Sequence, residues 1–153
     1  MPRRPQRQEA HFEAAAQAQP LGDSLHMLVA RARSKTRAQV AFLFQLPEAI
    51  DIPAEVESAG YRICEAAIDN AIGHAGARRL TVELSLRYAR LIVRVADDGE
   101  GFDAAQPAGL RERASLDTMD ACVRAAGGRL DVRSAPGAGT CISAIFPLDI
   151  QPK

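Results

Sequence analysis

A chain of 153 residues, 47% of them hydrophobic, can bury the core of one domain without disulfides or a metal. Its 19 basic and 19 acidic side chains cancel, which argues against a general binder of nucleic acid or anionic membrane. Cys64, Cys122 and Cys141 lie far apart in apolar surroundings, with no Cys-x-x-Cys or Cys/His cluster, so they read as free thiols of a reducing compartment. No apolar signal core follows the basic start Met1-Pro-Arg-Arg-Pro, and no run approaches the ~20 apolar residues that span a bilayer. The cytoplasm is the expected location.

Residues 1–20 hold three prolines and an Ala/Gln stretch, and read as a flexible tail that is at most helical over 9–19. The folded domain is expected over 21–150. Asp23 or Ser24 is expected to cap a first helix whose apolar positions Leu25, Leu28, Val29 and Ala32 recur at helical spacing. His26 on that helix is a conceivable phospho-acceptor, but the surface of a helix is its more ordinary place. The alternation over 39–46 (Val40, Phe42 and Phe44 against Ala41, Leu43 and Gln45) predicts a strand covered in part on both faces. Pro53 opens a long helix over 54–74, and Gly76 marks its end.

Two alternating runs over 79–86 and 91–95, joined through Tyr88-Ala89, predict a strand pair. A glycine turn follows, then a loop over 103–109, and a helix that starts at Leu110 or Ser115 and runs to Ala126 before Gly127-Gly128. Strands over 129–134 and 140–148 flank a second glycine turn, Pro136-Gly137-Ala138-Gly139. This order predicts an α/β (α+β) sandwich, with helices on one face of a mixed, mostly antiparallel sheet.

Two places suit chemistry. In Asp97-Asp-Gly99-Glu-Gly101-Phe102 a carboxylate shares one turn with two glycines, which tolerate positive φ and let a ligand approach the backbone. Asp97 there is a fixed acceptor for a ligand that offers N–H donors, although a lone Asp-x-Gly-x-Gly is more often a surface turn. Upstream, Glu65-x-x-x-x-Asn70-x-x-x-His74 lies on the long helix. At about 100° per residue Asn70 and His74 share a face, whereas Glu65 and Asn70 are about 140° apart. A sensible division has Asn70 offering its amide oxygen to a metal while Glu65 polarises a water at the rim. Magnesium suits such a place because it prefers oxygen, keeps waters and completes its shell with phosphates. The competing reading makes Asp69 and Asn70 polar residues of an exposed helix face.

Glu65-x-x-x-x-Asn70-x-x-x-His74-Ala75, Asp97-x-Gly99-x-Gly101-Phe102 and Gly137-x-Gly139-Thr140, in that order, resemble the ATP-binding domain of the GHKL superfamily. In particular they resemble the catalytic domain of two-component sensor histidine kinases of the nitrate/desaturase-sensor type, over residues 36–148. The resemblance implies a Bergerat fold that binds Mg-ATP and transfers the γ-phosphoryl group to a histidine on a partner domain, with a response regulator downstream. It implies that Asp97 accepts from the adenine amine, that Gly99, Gly101 and Phe102 bring backbone to the nucleotide, and that Thr140 after Gly139 supports adenine. Asn70 would bind magnesium, Glu65 would be the polarising carboxylate, and His74 would help shape the pocket.

The chain also departs from the pattern. Gly73 stands where the family usually has Arg or Lys. The second glycine box is degenerate: one alignment puts Arg113-Ala-Ser115-Leu116 in its place, with Ser115 capping the helix and Arg113 supplying charge, and another uses Ala108-Gly109-Leu110. No His followed at once by Asp or Glu is present, so the phospho-acceptor hairpin is expected in another domain or chain. The alternatives are an anti-sigma-factor-like serine kinase, or a weakened nucleotide-binding or protein-interaction module.

Overall fold

The computed structural model describes residues 19–47, 50–73, 76–105 and 110–149. The elements, in chain order, are α1 (Pro20–Lys35), β1 (Gln39–Gln45), α2 (Ala54–Gly73), β2 (Arg79–Arg87), β3 (Arg90–Asp97), α3 (Leu110–Ala125), β4 (Arg129–Ser134) and β5 (Thr140–Pro147). The strands form one sheet in the order β1-β2-β3-β5-β4, with only the β1–β2 pair parallel.

Alternation sorts the sheet into two faces. Leu80, Val82 and Leu84 of β2, Leu91, Val93 and Val95 of β3, and Ile142, Ala144 and Phe146 of β5 are buried against the helices. The opposite face carries Glu83 paired with Arg94, whose guanidinium also donates to Ser143 Oγ. Leu21, Leu25, Leu28, Val29 and Ala32 bury one stripe of α1, and Val56, Ile63, Cys64, Ala67, Ile68 and Ala71 bury one stripe of α2. Each buried Leu, Ile or Val among them contributes ~1.5–3 kcal/mol on burial. Gly60 sets how closely these layers approach: a Cβ there would lie 3.3 Å from Leu21 and 3.4 Å from Val93.

Three sequence expectations need correction. Helix α1 starts at Pro20, with no side-chain cap at Gln19, so Asp23 and Ser24 lie inside the helix and cap nothing. Proline suits a first turn because it lacks the N–H that would have no partner there. Among the described residues strand β1 is not covered on both faces: it lies at the sheet edge, with Val40 buried but Leu43 at 44% and Phe44 at 40% exposure. The apolar composition that suggested cover follows instead from α1 leaning over one face, where Phe44 meets Gly22. Finally α3 begins at Leu110, so Ser115 falls well inside it and is no N-cap. The helix expected over 9–19 lies outside the described residues except for Gln19, which precedes α1.

Candidate functional site

Asp97 ends β3 and is opposite Leu80 of β2 on one side and Thr140 of β5 on the other. It has the parity of Leu91, Val93 and Val95, and Thr140 has that of Ile142 and Ala144, so both face the helix layer at one open end of the sandwich. The Asp97 Oδ1 accepts from the Gly99 N–H at 2.8 Å. Its carboxyl is half-buried and titrates above the usual carboxylate range, chiefly through desolvation and then through the neighbouring Asp98, against hydrogen bonds from the Gly99 and Thr140 backbone. A half-desolvated carboxylate is a stronger hydrogen-bond acceptor than one in water.

The two glycine turns are locked together at this end. The Gly137 N–H donates to the Glu100 carbonyl at 2.6 Å, and the Phe102 N–H donates to Ser134 Oγ at 2.9 Å. Ser134 Oγ in turn contacts the Gly139 carbonyl at 3.0 Å and Thr140 Oγ1 at 2.8 Å. Gly101 has φ +65° and Gly139 φ +76°. A Cβ at Gly101 would collide with the Ala135 carbonyl, and one at Gly139 with the Asp97 carbonyl. These glycines are therefore needed where backbone passes over backbone, with the Asp97 carbonyl beneath.

Asn70 lies in the last turn of α2 and is half-buried. Five residues separate the end of α2 from β2, whose Leu80 faces Asp97, so topology brings this helix end to the same end of the sandwich as the glycine turns. Asp98 ties that connection down: its Oδ1 accepts from the Arg78 and Arg79 N–H groups at 2.7 and 2.8 Å. Those two bonds hold the exposed Asp98 carboxyl below the usual range. Glu65 is exposed on α2, more than one turn before Asn70. Arg113, Ser115 and Leu116 lie in α3, where Ala114 and Ser115 line a groove of about 320 Å³ against Arg62, Ile63 and Ala66 of α2. His74 lies outside the described residues, as does the segment 106–109 that holds Gly109.

Thus Asp97, Gly99, Gly101, Phe102, Gly139 and Thr140 are brought together as one turn cluster, with the Asn70 end of α2 on the same side. Glu65 is exposed on α2 and the Arg113–Leu116 segment lies inside α3, and among the described residues neither forms a hydrogen bond or ion pair with that cluster. Two residues that organise it went unread in the sequence. Asp98 had a signal, as a second carboxylate where a β-ladder ends and backbone N–H groups need acceptors. Ser134, an ordinary strand-end serine, had none. Among the described residues, no helix is long and apolar enough to cross a membrane.

Residues 55–150 match the family described as histidine kinase-, DNA gyrase B-, and HSP90-like ATPase. An uncharacterized sensor-like histidine kinase of Chloroflexus aurantiacus is 35% identical over 104 residues, 65% of this chain but 17% of that protein. The sensor protein VraS of Staphylococcus saprophyticus is 28% identical over 129 residues, 84% of this chain and 36% of its own length. The chain therefore spans about a sixth and about a third of the length of these relatives. Among solved structures, the histidine kinase domain of the blue-light activated histidine kinase of Erythrobacter litoralis EL346 superposes with a TM-score of 0.66 at 21% identity, over 84% of this chain and 61% of that one. The Acinetobacter baumannii histidine kinase AdeS superposes with a TM-score of 0.65 at 16% identity, over 84% and 65%. These structural likenesses show the fold. The family match covers more than half of the chain, and on it the chain belongs to the histidine kinase-, DNA gyrase B- and HSP90-like ATPases, within which it resembles the ATP-binding catalytic domains of sensor histidine kinases.

Proposed function

We propose that this chain binds Mg-ATP at the open end of the sandwich and donates the γ-phosphoryl group to a histidine on a partner domain, with a response regulator next in the relay. The observation that carries this reading is the half-buried Asp97 carboxylate, directed to the helix side beside Thr140 and framed by the interlocked glycine turns. An adenine amine offers N–H donors, and an acceptor fixed by the Gly99 N–H does not have to reorganise to meet them. Thr140, hydrogen-bonded to Ser134, is placed to support the ring beside Asp97.

Asn70 suits a magnesium ion through its amide oxygen, a hard donor on a half-buried helix end, with phosphate and water oxygens completing the shell. The ion would neutralise phosphate charge. Phosphoryl transfer depends mainly on positioning and charge neutralisation, so no nucleophile is needed from this chain. The bond between the β- and γ-phosphates breaks, the imidazole nitrogen takes the phosphoryl group, and ADP leaves. Glu65 acts in this reading as a polarising carboxylate at the rim, and Arg113 supplies positive charge from α3.

Thermal melting tests the binding half. A nucleotide at 100 times its dissociation constant should stabilise the chain by about 2.7 kcal/mol. Asp97→Asn keeps an acceptor for the Gly99 N–H but loses the charge-assisted bond to adenine, worth about 1.5–3 kcal/mol. The shift with ADP and with Mg-ATP should then largely vanish while the unliganded melting point does not fall. An unchanged shift would refute the adenine assignment. An acid-stable phosphoserine on the partner, in place of acid-labile phosphohistidine, would move the chain to the serine-kinase reading.

A further inference from the structure

We infer that β1 is a self-complementary edge through which two copies of this chain pair, antiparallel and about a two-fold axis at Phe42, to form one continuous sheet. Edge strands in soluble proteins are ordinarily blunted by charge, proline or a covering element. β1 is Gln39-Val-Ala-Phe-Leu-Phe-Gln45, seven residues with no charge and no proline. Among the described residues its outer flank faces no strand, and β2 is its sheet neighbour.

The backbone phase fits this axis. The Gln39 N–H donates to the Arg78 carbonyl, so residues of odd number in β1 turn their peptide groups toward β2. Val40, Phe42 and Phe44 then turn theirs outward. The Arg33 side chain, which donates to the Val40 carbonyl at 3.0 Å, independently marks that carbonyl as outward-facing. In an antiparallel pair only outward residues can exchange both hydrogen bonds with an opposite residue. Centring the axis on Phe42 sets Phe42 opposite its own copy and Val40 opposite Phe44, all outward. The Val40 carbonyl has a second lone pair for the bond across the axis.

The side chains fit as well, because the strand reads nearly the same in both directions. Under this register Gln39 is opposite Gln45, Val40 opposite Phe44 and Ala41 opposite Leu43, so polar meets polar and a smaller apolar side chain meets a larger one. Leu43, at 44% exposure, and Phe44, at 40%, would gain cover in such a pair.

Charge complementarity selects a second copy over an unrelated strand. Helix α1 runs antiparallel to β1, with Gly22 against Phe44 and Arg33 against Val40. Its first turn carries Asp23, and its last turn carries Arg33 and Lys35. A two-fold axis at Phe42 lays the acidic start of one α1 toward the basic end of the other, twice over. Met27, midway along α1 and 58% exposed, comes near the axis.

Sedimentation of the full chain over a concentration series tests the pairing. The mass should rise reversibly from 16.4 kDa toward twice that value. Ala41 and Leu43 are exposed and opposite one another across the axis, so Ala41→Lys with Leu43→Lys puts like charges together twice and should weaken association by about tenfold or more. Ala41→Glu with Leu43→Lys puts opposite charges there and should restore it. Matching circular dichroism and melting of the two variants would show that neither result reflects misfolding, and neither position belongs to the nucleotide site. A chain that stays at 16.4 kDa throughout, open-ended growth beyond the dimer, or a dimer indifferent to both variants would each overturn the inference.

Discussion

Gly137 and Gly139 stand in one turn, both at positive φ, +78° and +76°, so Gly→Ala at each incurs the conformational cost of a left-handed residue. That cost is ~1–2 kcal/mol for an L-residue held at positive φ. The two sites differ sharply in space. Nothing lies within 4 Å of a Cβ at Gly137, whereas a Cβ at Gly139 would collide with the carbonyl oxygen of Asp97. Backbone cannot swing aside like the end of a flexible side chain, and such overpacking adds ~1–3 kcal/mol. Gly137→Ala should therefore lower stability by ~1–2 kcal/mol and Gly139→Ala by ~2–5 kcal/mol. At ~2–4 °C per kcal/mol for a chain of this size, the melting points should fall by ~2–8 °C and ~4–20 °C, with a gap of several degrees between them. The strain at Gly139 falls on the peptide of Asp97, so melting with ADP should show the nucleotide shift kept in Gly137→Ala and reduced in Gly139→Ala. Equal losses of stability, or an undiminished shift in Gly139→Ala, would refute the claim that the second glycine turn positions Asp97.

Further outcomes follow from the same geometry. Asn70→Asp should leave ADP binding without metal little changed but alter the magnesium dependence of the melting shift, measured with and without a chelator. Asp98 titrates below the usual carboxylate range because the Arg78 and Arg79 N–H groups bind its charged form. Its contribution is present above the ordinary carboxylate pKa and lost as pH falls through the lowered folded value, so the melting-point gap between the wild type and Asp98→Ala should close on acidification below about pH 4. Asp97 has the opposite sign, because its raised folded value makes the native state less stable as pH climbs through that value. Cys64 is buried and its thiol is pushed well above the ordinary range by desolvation, so it should resist thiol reagents at neutral pH that label the half-buried Cys122 and Cys141, and react only on unfolding.

Much of this molecule was legible in one dimension. Period-two and period-3.6 patterns come from local geometry and marked each strand and helix of the described residues, with β4 found at its observed limits, residues 129–134. The Asp97 and Gly139 turns were legible for a related reason: glycine beside a carboxylate is a local signature of unusual backbone. Cover and caps were not. Whether β1 lies inside or at an edge depends on which strands find it, and an apolar run reads the same in both places. The start of α3 depends on where the preceding loop rejoins the sandwich, so the sequence leaves Leu110 and Ser115 open as its start and the structure selects Leu110.

The amino-acid order by itself determined the elements, their apolar faces and the family, because each follows from residues near one another or from motifs at fixed intervals. Only the tertiary structure decided that Asp97 and Thr140 stand side by side facing the helices, that Asp98 and Ser134 tie the turns together, and that β1 stands at the end of the strand order. Those facts rest on pairings between segments tens of residues apart, where register, rather than local preference, chooses the neighbours.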